Sequence, residues 1–182
     1  MKITWAVFAI VWIIGAFTAK QSLRRQSWSS GFVMVAIVLL EYFLLFWGVR
    51  HFGFAYSRFL PDSVTYLCIG LFITFAGVIF AIWARVTLGG NWSGIVTVKR
   101  DHELIRTGPY ALVRHPIYTG IAFAVVGTVM FDGEIKSIIV VIVMLTVFAR
   151  KMKIEERFMT EQFGSEYASY RQKTKALVPF LW

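Results

Sequence analysis

An all-α integral membrane protein with about five transmembrane helices is the fold class this 182-residue sequence predicts, and three observations predict it. The chain is 58% hydrophobic and only 16% charged, against ~45–50% and about a quarter in soluble domains. Its mean hydropathy is +0.66, and apolar runs approaching the ~20 residues that cross a bilayer recur along it. Its basic residues gather at the ends of those runs. The formal charge of +9 and the pI of about 9.9 therefore read as membrane topology and attraction to anionic headgroups, not as a nucleic-acid footprint. A single cysteine, Cys68, excludes an internal disulfide or a cysteine zinc cluster. Lying inside an apolar run, it reads as a small buried hydrophobe. The length suits one domain, and residues 1–182 are taken as a single membrane domain.

Run one, Ile3 to Ala19, is uncharged. It is too long for a signal peptide and lacks a small-residue cleavage site before Lys20, so it reads as a retained first helix. Run two, Gly31 to Val49, carries Glu41 in its middle. Run three begins at Ser63 and reaches about Trp83, with a helical pattern that extends past Arg85 to Leu88. Gly89-Gly90-Asn91 then supplies residues that tolerate a left-handed cap. Run four is Pro116 to Phe131, Asp132-Gly133-Glu134 forms a tight turn, and run five is Ile135 to Ala149. Runs four and five are short, yet two spans are preferred to a buried hairpin, because run five lengthens through Lys151 as its side chain snorkels. No internal repeat or low-complexity region occurs.

Fifteen of the nineteen Lys and Arg residues follow runs one, three and five. The excess of positive charge on inner loops then puts the loop at 84–116 and the tail from Arg150 in the cytoplasm and the N-terminus outside. The expected placement is multi-pass, in an inner membrane of bacterial type. This topology brings two distant segments, 91–118 and 150–182, to one membrane face.

The stretch Asp101 to Gly120 is the best organised polar interruption. Proline disfavours helix at the residue before it and suits the first helical turn, so His115 should be extended and Pro116 should open helix four. The free N–H groups of that helix start would face the cytoplasmic side, where a helix N-terminus favours an anionic group. Arg114 and His115 add a cation and a hydrogen-bonding ring; a snorkelling basic collar is an equal reading of these residues alone. Gly108-Pro109 signals a turn that sets Tyr110 beside Arg114-His115-Pro116. Tyr118 follows two residues on. Each tyrosine alone fits an interfacial belt, whereas the two with His115 and Arg114 form a cage for a cationic group.

Glu155 and Glu156 lie in a tail, Lys151 to Phe163, that reads as helical with Gly164 as its cap. Lys151 and Glu155 are four apart and share a face. A solvated charged helix is the ordinary reading of such a run; position on the same membrane face as His115 favours a carboxylate that holds hydroxyls or an ammonium. Glu41 is an intramembrane acid and so a functional candidate or a helix-pairing group. Trp92 reads as an interfacial anchor. No metal-ligand spacing is present: His102 and His115 lack a third partner. No dinucleotide fingerprint follows a strand, and no strand is expected in the membrane part.

The pattern His102-Glu103-Leu104-Ile105, Gly108-Pro109-Tyr110 and Arg114-His115-Pro116-Ile117-Tyr118 resembles the isoprenylcysteine carboxyl methyltransferases and the related membrane phospholipid methyltransferases. The tail agrees through Glu155-Glu156, Phe163-Gly164, Tyr167, Tyr170 and Pro179. The resemblance covers about Asn91 to Pro179. It implies an S-adenosylmethionine pocket at the cytosolic face, closed by the C-terminal helical tail. His102, Glu103, Leu104, Ile105, Tyr110, His115, Pro116, Ile117, Tyr118 and Glu155 would line that pocket. Lys151 and Glu156, with Arg114, are the catalytic candidates, Arg114 being either structural or near the methyl-acceptor channel. Lys151 stands where the family that acts on prenylated cysteine has an arginine that contacts substrate; lysine keeps the charge without the bidentate fork.

The implied activity is methyl transfer to a lipophilic acceptor that enters from the bilayer, either isoprenylcysteine carboxylate-like or a lipid, with no metal and no nucleic-acid partner. An ionised carboxylate acceptor needs no base; an amine or phenol would need one, with Glu156 or His115 available. Two other classes stay open: a membrane reductase of the sterol-reductase type using NADPH, and a non-catalytic membrane assembly protein.

Overall fold

The computed structural model describes residues 1–17, 22–25, 53, 57–92, 97–99 and 103–179, and helices dominate among them. Helix α1 is Lys2–Ala16. Helix α2 is Val64–Leu88, followed by a short 3₁₀ turn at Gly89–Asn91. A one-turn helix α3, Pro109–Leu112, precedes α4, Pro116–Asp132, and α5, Ile135–Lys173. Run two and its Glu41 lie outside the described residues.

The starts and stops follow local chemistry. Ser63 caps α2, its hydroxyl accepting from the Thr65 amide at 3.3 Å, and satisfies one donor that a helix start leaves free. Pro116 is the first residue of α4, after a non-helical His115 at φ −121°, ψ 58°. At ~1.5 Å per residue α2 is about 37 Å long, more than the ~30 Å of hydrocarbon in a bilayer. Among the described residues Val64–Asn91 is the one helix long and apolar enough to span; Lys2–Gly15 and Pro116–Asp132 are shorter apolar helices.

Residues 20–27 and 91–115 are expected to be polar connections only. Two short strands occur there, β1 (Ser22–Arg25) and β2 (Thr97–Lys99), paired antiparallel with Ser22 opposite Lys99 and Arg25 opposite Thr97. Such short segments show no period of their own, and their pairing is non-local. The pairing joins the segment after run one to the segment after run three, the two that charge asymmetry assigns to one side.

Helices α2 and α4 pack at backbone distance. Gly70 faces Gly127, and Gly77 faces Gly120, so the helices run antiparallel. A Cβ on Gly77 would stand 2.5 Å from the Ala124 nitrogen and 2.6 Å from the Gly120 carbonyl. Small residues at such an interface let helices approach where lipid offers no hydrophobic drive. Thr74 lies in the seam and donates to the carbonyl of Gly70 at 2.8 Å, while Thr128 donates to that of Ala124 at 2.8 Å. Trp5 of α1 donates its indole N–H to the Thr128 hydroxyl at 3.0 Å and docks α1 on the same seam. Cys68 was expected to be buried; it is exposed. The reason is rotational: two residues before Gly70 puts it ~200° away, off the Gly70–Thr74–Gly77–Ala81 face that α2 buries.

Arg85, only 3% exposed, closes the end at which the C-termini of α1 and α2 meet. It donates to the carbonyl of Gly15, in the last turn of α1, and to that of Gly89 at 3.0 Å. Its guanidinium lies 4.3 Å from the ring centroid of Trp92. Two helix C-termini, each with roughly half a negative charge, thus converge on one cation. Trp92, expected as a membrane anchor, also meets the ring of Trp12 on α1 edge-on at 6.3 Å.

The turn at Gly133 sends the chain back as α5, whose Val140, Met144, Phe148 and Met152 pack on Tyr118, Val125 and Val129 of α4. The expected end of the tail helix at Gly164 is a corner instead. Gly164 has φ 50° and ψ −122°, and the helix resumes beyond it to Lys173. That conformation is open essentially to glycine alone. Gly164→Ala should cost about 1–3 kcal/mol and lower the melting temperature of the detergent-purified protein. Gly77→Val should cost about as much or more, through overpacking against the α4 backbone. Circular-dichroism melts of both variants against the parent check the two positions.

Candidate functional site

The corner at Gly164 returns the last turns of α5 and the segment after them to the start of α4. Arg114 and His115 donate their amides to the carbonyls of Lys175 and Ala176, at 2.8 and 3.0 Å, with Val113 and Lys175 forming a parallel bridge. Tyr170 donates its hydroxyl to the Tyr110 carbonyl at 2.6 Å. The Arg114 guanidinium donates to the carbonyls of Thr174 and Arg171. The amides of the two residues before Pro116 are therefore spent on the tail.

Glu155 and Glu156 approach the same stretch from α5. Arg114 meets one oxygen of Glu156 through Nε at 3.0 Å and Nη2 at 2.6 Å. The His115 ring lies between the two carboxylates, with Nε2 3.3 Å from Glu156 and Nδ1 3.6 Å from Glu155. Tyr118 donates its hydroxyl to Glu155 at 2.6 Å, and its ring stacks on that of His115 with centroids 5.7 Å apart. Lys151 lies 4.0 Å from Glu155 and 5.5 Å from the centroid of the Tyr118 ring. Arg171 reaches the second oxygen of Glu156 at 3.6 Å.

These contacts decide the charge states. Burial alone would raise both carboxyls. For Glu156, hydrogen bonds from His115 and Arg114 outweigh burial and push its pKa down to about 2. For Glu155 the His115 hydrogen bond, the Lys151 charge and the Tyr118 hydroxyl likewise hold it below the ordinary carboxylate range. Burial would lower His115, yet its hydrogen bonds to the two glutamates hold its pKa above the ordinary value. Only the protonated ring can donate from both nitrogens. The two carboxylates meet opposite nitrogens, so they do not converge on one point as metal ligands must. Among the described residues no group of three or more His, Cys, Asp or Glu could hold a metal.

Arg114, His115, Tyr118, Lys151, Glu155 and Glu156 thus come together. Pro116 and Ile117 form the first turn beneath them. Tyr110 is buried with its backbone tied to Tyr170. Glu103, Leu104 and Ile105 lie on the coil that leads into Gly108, which is tied to the tail by the pair Arg106–Glu166 at 3.0 Å. His102 lies outside the described residues. An open groove of about 390 Å³ is lined by Glu156 together with Lys153, Arg157, Thr160, Glu161 and Arg171. Sequence reasoning passed over Arg171 and Thr119. Arg171 read as one more tail cation, and the only signal for Thr119 was a hydroxyl among apolar residues one turn after His115.

The sequence model of the isoprenylcysteine carboxyl methyltransferase (ICMT) family matches residues 68–161, from within α2 to just past the glutamate pair. The protein-S-isoprenylcysteine O-methyltransferase of Schizosaccharomyces pombe is 30% identical over 132 residues, which are 71% of this chain and 53% of that protein. Protein-S-isoprenylcysteine O-methyltransferase B of Arabidopsis thaliana is 32% identical over 115 residues, 62% of this chain and 58% of that one. The solved structure of the eukaryotic intramembrane Ras methyltransferase ICMT shares the fold, with a TM-score of 0.63 at 24% identity over 82% of this chain and 53% of that one. The chain spans about half the length of the curated relatives it matches.

The charge states set a pH window for the docked tail. Glu156 is lowered from 4.5 to about 2, so its contribution is present above pH ~4.5 and lost as pH falls through that range. His115 is raised above 6.5, so its contribution is full below pH ~6.5 and lost as pH rises through the folded value. The melting temperature should therefore fall on both the acid and the alkaline side. Glu156→Gln should flatten the acid limb and His115→Gln the alkaline one, as thermal melts across pH 2–9 would show.

Proposed function

Because the chain belongs to the isoprenylcysteine carboxyl methyltransferase family, we propose that it transfers a methyl group from S-adenosylmethionine to a lipophilic acceptor at the cytosolic membrane face. The acceptor class is an isoprenylcysteine-like carboxylate or a lipid. The observation that carries this reading is the cluster of His115, Tyr118, Glu155 and Glu156, assembled at the start of α4 by the returning tail.

The residues suit a cationic cofactor. Glu155 is held ionised beside the Tyr118 ring, and a carboxylate with an aromatic face favours a cation. The pocket would be lined by Glu155, His115, Pro116, Ile117, Tyr118 and Tyr110, together with the motif residues His102, Glu103, Leu104 and Ile105. Bound S-adenosylmethionine supplies a methyl group already activated by its sulfonium. The chain's own residues then have to orient the acceptor in line and exclude water. Lys151 and Arg114 supply positive charge for a carboxylate acceptor, although Arg114 is already paired with Glu156. An amine or phenol would have to lose a proton, and with His115 held protonated and Glu156 lowered to about 2 neither side chain is set to take it, so these charge states favour a carboxylate acceptor that is already ionised. In this reading residues 1–182 form one multi-pass membrane domain, with the N-terminus outside and the tail in the cytoplasm.

His115→Ala and Glu155→Ala should each abolish binding of S-adenosylhomocysteine in calorimetry; parent-like affinity in both would refute the pocket. A thermal shift with S-adenosylhomocysteine and none with NADPH separates this reading from a reductase, and a shift with neither indicates an assembly role. Membrane extracts incubated with labelled S-adenosylmethionine and resolved by mass identify the acceptor.

A further inference from the structure

Thr119 lies one turn into α4, and its hydroxyl has two acceptors. One is the carbonyl of His115, four residues back, at 3.2 Å. The other is the carbonyl of Leu177 in the tail, at 2.8 Å. A helical threonine ordinarily returns its proton to the carbonyl four residues earlier; here the shorter bond leaves the helix. Thr119 and Leu177 are 9% and 8% exposed, so water does not readily replace a lost partner.

The tail segment is held at adjacent backbone sites, Arg114 to Lys175 and His115 to Ala176. Those amides belong to the main chain and survive any substitution except proline. Thr119 is the side chain that fixes the far end of the segment. It also closes a loop around His115, whose N–H goes to Ala176 and whose C=O accepts from the Thr119 amide at 3.0 Å and from its hydroxyl. His115 is not helical, so these bonds hold its backbone and aim its ring between Glu155 and Glu156.

We propose that Thr119 is a positioning residue for the cofactor pocket: its hydroxyl locks the tail at Leu177 onto α4 and so holds His115 against Glu155. This role rests on the reading of that pocket as the S-adenosylmethionine site. It is not a role for Thr119 in touching cofactor or acceptor.

The test uses the full chain in detergent and two substitutions. Thr119→Val keeps the shape without the donor, and Thr119→Ser keeps the donor. Two quantities are measured: the rate of trypsin cleavage after Lys173 and Lys175, both exposed, without ligand; and the calorimetric Kd for S-adenosylhomocysteine. Thr119→Val should be cut about tenfold faster and bind about tenfold more weakly, equal to ~1.4 kcal/mol, whereas Thr119→Ser stays within about twofold of the parent in both. Thr119→Ala, which lacks the donor and cannot overpack, replaces valine if that variant does not fold. Parent-like cleavage of the donor-free variant would overturn the tether. Faster cleavage with unchanged Kd would overturn the positioning role. A parent that binds no S-adenosylhomocysteine would overturn the cofactor reading and the positioning role with it; the cleavage rates would still report the tether separately.

Discussion

The pairing of Arg114 with Glu156 at 2.6 Å holds the site together. It joins the residue two before α4 to a residue 42 positions later on α5. His115 reaches the same carboxylate oxygen, so one acid faces two cations, and Arg171 meets its other oxygen. Charges so far withdrawn from water are stable only when paired and hydrogen-bonded. This constraint dictates much of the surrounding structure. The corner at Gly164 is needed to return the chain, Tyr167 and Tyr170 bury themselves where it lands, and the carbonyls of Lys175 and Ala176 accept the amides of Arg114 and His115 just ahead of α4.

The membrane part supplies a rigid base for this arrangement. The glycine contacts between α2 and α4 allow no slippage, since a register shift would drive side chains into backbone. Because α4 is fixed, the position of its first turn is fixed as well, and with it Arg114, His115 and Tyr118. Helix α1 lies outside the segment matched by the family, yet it is attached at both ends: by Trp5 at Thr128 and by Arg85 at Gly15.

Much of this was legible in the sequence wherever the cause is local. Pro116 announces a helix start because its ring fixes φ and its missing N–H is not needed there. Ser63, Gly89 and Gly133 mark helix ends for comparable reasons. Lys151 and Glu155 share a face by spacing alone. The family motif brought His115 and Glu155 together before any geometry was known. What was not legible is non-local. No periodicity pairs Arg114 with Glu156 or Ser22 with Lys99. Gly164 carries the same signal whether a helix stops or turns a corner, because the positive φ is common to both. Arg85 read as one more inner-face cation; that it caps two helices follows only from where α1 ends. Cys68 shows the same limit in another form: an apolar run reveals burial in a membrane but not which face meets protein.

The measurement closest to the centre of this account is a double-mutant cycle on Arg114 and Glu156. Arg114→Gln, Glu156→Gln and the double variant would be compared with the parent by the denaturant or temperature at which tail protection is lost. A pair that organises the site should show a coupling energy of about 1.5 kcal/mol or more, within the range of close charge pairs, with the double variant less damaged than the sum of the single ones. Additive effects, with coupling near zero, would mean that the two side chains are only neighbours and that something else holds the tail to α4.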